Sequence, residues 1–332
     1  MQIIQMTEIL SLKTYFKIFI FIFSFSSIVA FSADNYPSRS IRLIVPFPPG
    51  GGGDGVARPI ASLLSERIGQ QIVIDNRSGA GGIIGADITA HASPDGYTLF
   101  LATTGLTALP GLKNSIPFSP TQSFDPITNA ASGAYILILS PQNPARSVAD
   151  LIRLSSSGKW RPSYGSAGIG TTIHLAGELF NYSANISMRH IAYQGAARAM
   201  TEVISSQIDL MFATLFTGLP QIKSGKLRGI GVSSIIRSKI APEIPTIAES
   251  GVVNYDVTGW YGFVGPAGLP TNIKNKLNEL LISTLRSQAG EERMTAQGLD
   301  VVANSPTEFA NFIRNETLKW TQVIKKAGLR AD

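Results

Sequence analysis

The chain has 332 residues, 44% hydrophobic and only 15% charged, so it reads as globular and long enough for two packed α/β lobes. A net charge of +6 without any Lys/Arg run interleaved with aromatics excludes nucleic acid as a partner. With no cysteine there are no disulfides and no thiolate ligands, and His91, His174 and His190 stand at no metal-ligand spacing, so neither metal nor cofactor is expected.

Lys13 and Lys17 precede an apolar run from Ile18 to Phe31, with small residues at Ala30, Ser32 and Ala33. That order predicts a secretory signal peptide over residues 1–32, cut before Ala33, with a cut after Ala30 or after Ala33 as the alternatives. The run falls short of the roughly 20 residues that a spanning helix needs. Losing Lys13, Lys17 and Glu8 leaves a charge of +5 on a mature chain expected in the periplasm.

Ile41 to Val45 predicts a strand that stops at Pro46-Phe47-Pro48-Pro49 and runs into Gly50, Gly51, Gly52 and Gly53. Asp54 follows, and Val56, Ile60, Leu63 and Leu64 mark one helical face. Ile72 to Ile74 is a second strand, and Gly79-Ala80-Gly81-Gly82 leads into a second helix. After the turn signal Pro94-Asp95-Gly96 comes a third strand, Tyr97 to Ala102. This β-α-β-α-β order predicts a mostly parallel sheet covered on both faces.

A second set opens with Tyr135 to Leu139 and a helix over Ser147 to Leu154. Helices over Ile173 to Phe180 and Ala196 to Ile204 alternate with strands at Met188 to Ile191, Ile208 to Phe212 and Leu227 to Val232. Beyond Tyr255 to Val264 the chain turns helical, and Ser305-Pro306-Thr307-Glu308 gives the last helix a capping box with Pro at its first position.

Four strand-to-helix junctions carry small or hydroxyl residues. They are Gly50 to Asp54, Thr103-Thr104, Ser166 to Thr172 ahead of His174, and Tyr193 to Ala197. Glycine lets a ligand approach the backbone, and a helix N-terminus offers unpaired N–H groups, so such junctions can cradle an anion. The alternative for the first junction is a structural glycine turn with Asp54 as an ordinary N-cap. A hydrolase using Ser166, His174 and Asp209 is the rival from another class, but no Gly-x-Ser-x-Gly is present.

Several segments resemble the Bug family, the extracytoplasmic solute receptors of tripartite tricarboxylate transporters. They include Tyr36-Pro37-Ser38-Arg39, Pro46 to Gly51, Asn76 to Gly82, Pro94 to Thr98 and Tyr164 to Gly168. His174 to Phe180, Gly195-Ala196-Ala197, Asp209 to Phe212, Pro245 to Glu249 and Gly265 to Gly268 continue the likeness along essentially the whole mature chain. The resemblance implies a type II periplasmic binding protein fold, two α/β lobes with a ligand cleft between them. It implies a first lobe from 34–137 and 256–332 with 138–255 inserted as the second. It further implies a small carboxylated solute, membrane transporter subunits as partners, and a monomer that is not an enzyme; a periplasmic sensor would use the same fold. The ligand residues carried over are Phe47, Pro49, Gly50, Gly51, Gly52, Gly53, Asp54, Thr103 and Thr104 in the first lobe. In the second they are Ser166, Gly170, Thr171, Thr172, His174, Tyr193, Gly195, Ala196, Ala197 and Ala213. Ala213 stands where the family commonly has Asp, which implies a carboxylate without an amine. Gly52 and Gly53 replace bulkier residues, which implies more room or more loop freedom there.

Overall fold

The computed structural model describes residues 36–329, and the signal-peptide expectation for residues 1–32 lies outside them. The described chain opens with β1 (Ile41–Val45), α1 (Gly52–Ile68), β2 (Ile72–Asn76), α2 (Ile83–Ala90), β3 (Thr98–Thr103) and α3 (Thr104–Leu112). A long strand β4 (Phe124–Leu139) leads to α4 (Val148–Ser156), β5 (Ser163–Ser166), α5 (Thr172–Ser183), β6 (Arg189–Ala192), α6 (Ala196–Ile204), β7 (Leu210–Thr214), α7 (Leu215–Lys223) and β8 (Arg228–Val232). The chain returns through β9 (Thr258–Pro266), α8 (Thr271–Leu285), α9 (Gln288–Ala296), β10 (Asp300–Val301) and α10 (Pro306–Lys326).

Two sheets form the centres of two lobes. In the first the order is β2-β1-β3-β9-β4, with β10 on β4; in the second, β4 lies between β8 and β7, and β7-β5-β6 follow. β1 sits between two parallel neighbours and is buried along nearly its whole length, which is why it reads as a continuous apolar run. The predicted parallel character holds for β2-β1-β3 and for β7-β5-β6 only. β4 and β9 run antiparallel to their neighbours, because they carry the chain out of the first sheet and back into it.

Helices cover the sheets with the faces their spacing dictates. Val56, Ile60 and Leu64 turn α1 onto the first sheet, and α1 ends at left-handed Gly69, whose N–H reaches the Ser65 carbonyl. Trp260, Phe309 and Phe312 pack edge to face in the first lobe. Phe180, Phe212 and Tyr255 do the same work in the second, and the Tyr255 hydroxyl donates to the Ala176 carbonyl.

β4 changes partners within one peptide step. Phe124 to Ala134 pair with β9, whereas Tyr135 to Leu139 pair with β7 and β8. Ser233 is buried at that point and clasps three segments. Its Oγ accepts the Tyr135 N–H at 2.8 Å and donates to the Val257 carbonyl at 2.6 Å. Its own N–H donates to the Tyr135 carbonyl, and its carbonyl accepts the Val257 N–H, both at 2.8 Å.

The capping box of α10 is present as read, with Ser305 Oγ accepting the Glu308 N–H and Glu308 accepting the Ser305 N–H. Ser305→Ala removes one half-exposed cap and should lower stability by about 1 kcal/mol. Ser233→Ala orphans a buried N–H and a buried carbonyl together, and should cost about 2–4 kcal/mol. Urea unfolding of the two variants beside the parent measures both, with the Ser233 loss expected to be the larger.

Candidate functional site

Five helices point their N-termini at one cavity between the lobes. The N-cap residues of α1, α3, α5, α6 and α7 are Gly51, Thr103, Thr171, Gly195 and Thr214, and all five line it. Each follows the C-terminal end of a strand that belongs to one of the two parallel sets or, for Gly195, the β6 edge. Thr214 caps its helix by accepting the Thr217 N–H, but the other four N-caps make no side-chain capping bond. First-turn N–H groups have no intrahelical partner, so the cavity wall is rich in donors and positive in potential.

The cavity encloses about 620 Å³ of empty space, its open mouth included. Phe47, Pro49, Gly52 and Gly53 wall it from the first lobe; Thr172, Ala196 and Ala197 wall it from the second. Tyr135 and Tyr261 on the crossing strands close the base, with their hydroxyls hydrogen-bonded to each other and Tyr135 also to Thr172. Burial pushes both phenols above their ordinary range, so they serve as neutral hydrogen-bonding groups. None of the described residues lining the cavity is Asp, Glu, His, Lys or Arg.

Other predicted site residues lie behind this wall. Asp54 is in the first turn of α1, where its carboxylate accepts the Gly50 N–H, Arg58 Nε and Asn76 Nδ2 at 2.9, 2.7 and 3.0 Å. Burial alone would raise its pKa, but these donors outweigh it and hold the carboxyl below the usual range. Asp54 and Gly50 therefore fix the glycine turn and do not line the cavity. Thr104 is fully buried one residue behind Thr103. Ala213 pairs with Ile136 and turns toward Gly218 of α7, because strand alternation gives the cavity to Thr214. The roominess expected of Gly52 and Gly53 is also corrected. A Cβ would lie 2.7 Å from Thr214 Cγ2 at Gly52 and 2.7 Å from the Phe47 ring at Gly53, so these glycines admit close packing.

Ser166, Gly170 and His174 form a prop under the second-lobe loop. Ser166 is fully buried, and its Oγ pairs with His190 Nε2 at 2.7 Å, while His174 Nδ1 accepts the Gly170 N–H at 3.3 Å. Asp209 is engaged elsewhere, accepting the N–H and Oγ of Ser163, so Ser166, His174 and Asp209 do not assemble as a triad. The two imidazole rings lie tilted against each other with centroids 4.3 Å apart. Burial, reinforced by the neighbouring His190, lowers the His174 pKa to about 3, and burial lowers that of His190 to about 4.

Tyr193 lines an outer chamber that adjoins the cavity, together with the loop Ser78 to Gly82. The sequence reading omitted from the site Pro48, Tyr135, Ala167, Ile173, Gln194, Thr214 and Tyr261. Gln194 and Ala167 lay inside junctions already singled out, but the two tyrosines on β4 and β9 gave no local signal. The lobes meet there backbone to backbone. A Cβ on Gly81 would lie within 2.4 Å of the Ile169 carbonyl oxygen, and one on Gly105 would lie 3.0 Å from that of Gly170.

This is the architecture of a two-lobed binding protein, with its site at the interlobe cleft. Residues 56–329 match the family described as "Tripartite tricarboxylate transporter family receptor". BugT of Bordetella pertussis is 32% identical over 301 residues, covering 90% of this chain and 92% of its own. Among solved structures, an R. palustris protein with adipate is 32% identical with a TM-score of 0.85, covering 89% of this chain and all of that one. The periplasmic binding protein BugD is 31% identical with a TM-score of 0.84, covering 89% and 100%. The chain belongs to the tripartite tricarboxylate transporter receptor family.

Two outcomes follow from the interlobe contact and the histidine prop. Gly81 and Gly69 share left-handed φ values of 68° and 66°, but a Cβ on Gly69 meets nothing within 4 Å. Both Ala variants should therefore lose about 1 kcal/mol of stability, while small-angle scattering shows a larger radius of gyration for Gly81→Ala alone. The histidines, neutral in the fold, take up protons on unfolding once the pH falls below about 6.5. Stability should thus be level from pH 8 to 7 and decline from about pH 6.5 toward 4, and His190→Gln should shrink the decline in urea midpoints.

Proposed function

We propose that this chain is a periplasmic receptor that captures a small, amine-free carboxylate in the interlobe cleft and hands it to membrane transporter subunits. The observation that carries the reading is the convergence of five helix N-termini on a cavity whose described lining residues carry no formal charge. Each helix end contributes about 0.3–2 kcal/mol toward an anion, and each hydrogen bond to a carboxylate about 1.5–3 kcal/mol. A few of these reach micromolar affinity, about −8 kcal/mol. Adipate in an R. palustris relative supports the ligand class.

Neutral donors suit a carrier. They hold a carboxylate without the deep, desolvated ion pair that slows release. Among the described residues no acidic side chain lines the cavity to receive an ammonium group, which favours carboxylates that lack one. The protein acts by binding and closure, as a monomer, and Ser166 serves as a buried strut rather than a nucleophile. In this reading residues 34–137 and 256–332 form one lobe, 138–255 form the other, and residues 1–32 direct export.

Native mass spectrometry of the purified protein should show a retained acid, and calorimetry should show adipate or a related carboxylate binding near micromolar. At a hundredfold excess over Kd that ligand should stabilise the fold by about 2.7 kcal/mol. Glutamate and aspartate should bind at least tenfold more weakly than their amine-free counterparts. Binding of amines alone, with carboxylates inert, would sink the reading.

A further inference from the structure

The polar side chains that line the cavity are not equally available to a ligand. Thr171 Oγ1 donates to the Gly168 carbonyl at 2.7 Å, Thr214 Oγ1 pairs with Thr217 Oγ1 at 2.9 Å, and Tyr135 is bonded to both Thr172 and Tyr261. Two lining side chains make no hydrogen bond with any described residue: Thr103 at the end of β3 and Gln194 beyond the end of β6. β3 belongs to the first sheet and β6 to the second, so each lobe offers the cleft one polar side chain that is not already engaged.

Gln194 owes its place to the backbone on either side of it. The Tyr193 N–H donates to the Ser166 carbonyl at 3.1 Å, which extends the β5–β6 pairing past Ala192. Gly195 then turns the chain into α6 with a φ of 106°, and a Cβ there would lie 3.3 Å from Pro48 Cγ of the first lobe. The main chain is thus held before and after Gln194, while its exposed side chain takes no part in the holding. An amide can donate or accept. The start of α6 at the next residue decides between them, because its positive potential favours an anion over an ammonium beside it.

We infer that Gln194 is a specificity-determining residue: its side-chain amide donates to a second acid group of the ligand, across the cleft from the acid group held on the Thr103 side. The inference rests on the carboxylate reading of the cavity and refines it to a diacid. Such a ligand ties the two lobes together through the two lining side chains that have no protein partner. A monoacid of the same chain length engages the Thr103 side alone and leaves the Gln194 amide to water. An ammonium in place of the second acid offers the amide nitrogen no acceptor and faces the positive start of α6.

The test uses calorimetry on the full mature chain with adipate, hexanoate and 6-aminohexanoate. The parent should bind adipate about tenfold tighter than hexanoate, as expected of one charge-assisted hydrogen bond, and 6-aminohexanoate most weakly of the three. Gln194→Leu keeps the bulk and removes the amide; it should bring adipate down to the affinity of hexanoate and change hexanoate less than twofold. Gln194→Glu should weaken adipate further than Gln194→Leu does, and should bind 6-aminohexanoate more tightly than the parent does. Because the side chain is exposed, urea midpoints of both variants should match the parent, which separates affinity from folding. Adipate affinity unchanged in Gln194→Leu, or equal losses for adipate and hexanoate, would overturn the inference and leave the carboxylate reading intact. So would a parent that binds neither probe yet retains some other acid on purification. A parent that binds neither and retains no acid would overturn both.

Discussion

The constraint on which the fold turns is a set of helix-start N–H groups with no intrahelical partner, facing a recess whose described lining residues carry no formal charge. Of the helices away from the cavity among the described residues, α4, α9 and α10 are closed by the hydroxyls of Ser147, Ser287 and Ser305, whereas α2 and α8 start at Gly82 and Pro270 without a side-chain cap. The four cavity helices with uncapped starts forgo that stabilisation, a few tenths of a kcal/mol at Gly51 and Gly195 and about 1 kcal/mol at Thr103 and Thr171. The donors are held open by residues one layer back. Asp54 pins the glycine turn through Gly50, His174 and His190 brace the loop after β5, and Tyr135 and Tyr261 fix the floor. The charged and titratable groups thus serve the scaffold, and the ligand surface is left to the backbone and hydroxyls.

Glycine has two distinct duties here. At Gly69 it only lets a helix end. At Gly81 and Gly105 its missing side chain allows carbonyl oxygens of the opposite lobe to come within contact distance, so the lobes meet main chain against main chain. The loop from Gly79 to Gly82 is left-handed or otherwise at positive φ at every residue, Ala80 included at 48°. Such a backbone is costly for ordinary residues, and three glycines in four positions are what make it accessible.

Much of this was legible in the residues. The junctions at Phe47 to Gly53, Thr103, Thr171-Thr172 and Gly195 to Ala197 announce themselves by glycines and hydroxyls between an apolar run and a helical stripe, and the cavity gathers them. Asp54, Ser166 and His174 were harder, because polarity beside a loop does not say whether a side chain faces the ligand or braces the loop. Ala213 went astray by one residue, since the period-two alternation of β7 assigns the cavity to Thr214. Tyr135 and Tyr261 sit in mid-strand among apolar neighbours. Only the three-dimensional crossing of β4 and β9 brings their hydroxyls to the cavity base. The sixteen-residue length of β4 was also hidden, as Pro126 and the polar run after it interrupt the apolar pattern that marks a strand.

The Ser233 clasp bears on the economy of movement. Its four short hydrogen bonds join the segments at the spot where β4 passes from one sheet to the other, so in the proposed closure they would sit at the pivot and would keep their lengths while the outer loops separate. A pivot that loses no bond in either posture sets no preference of its own. The balance between gaping and shut forms is then decided at the rim, where a guest worth only a few kcal/mol can tip it.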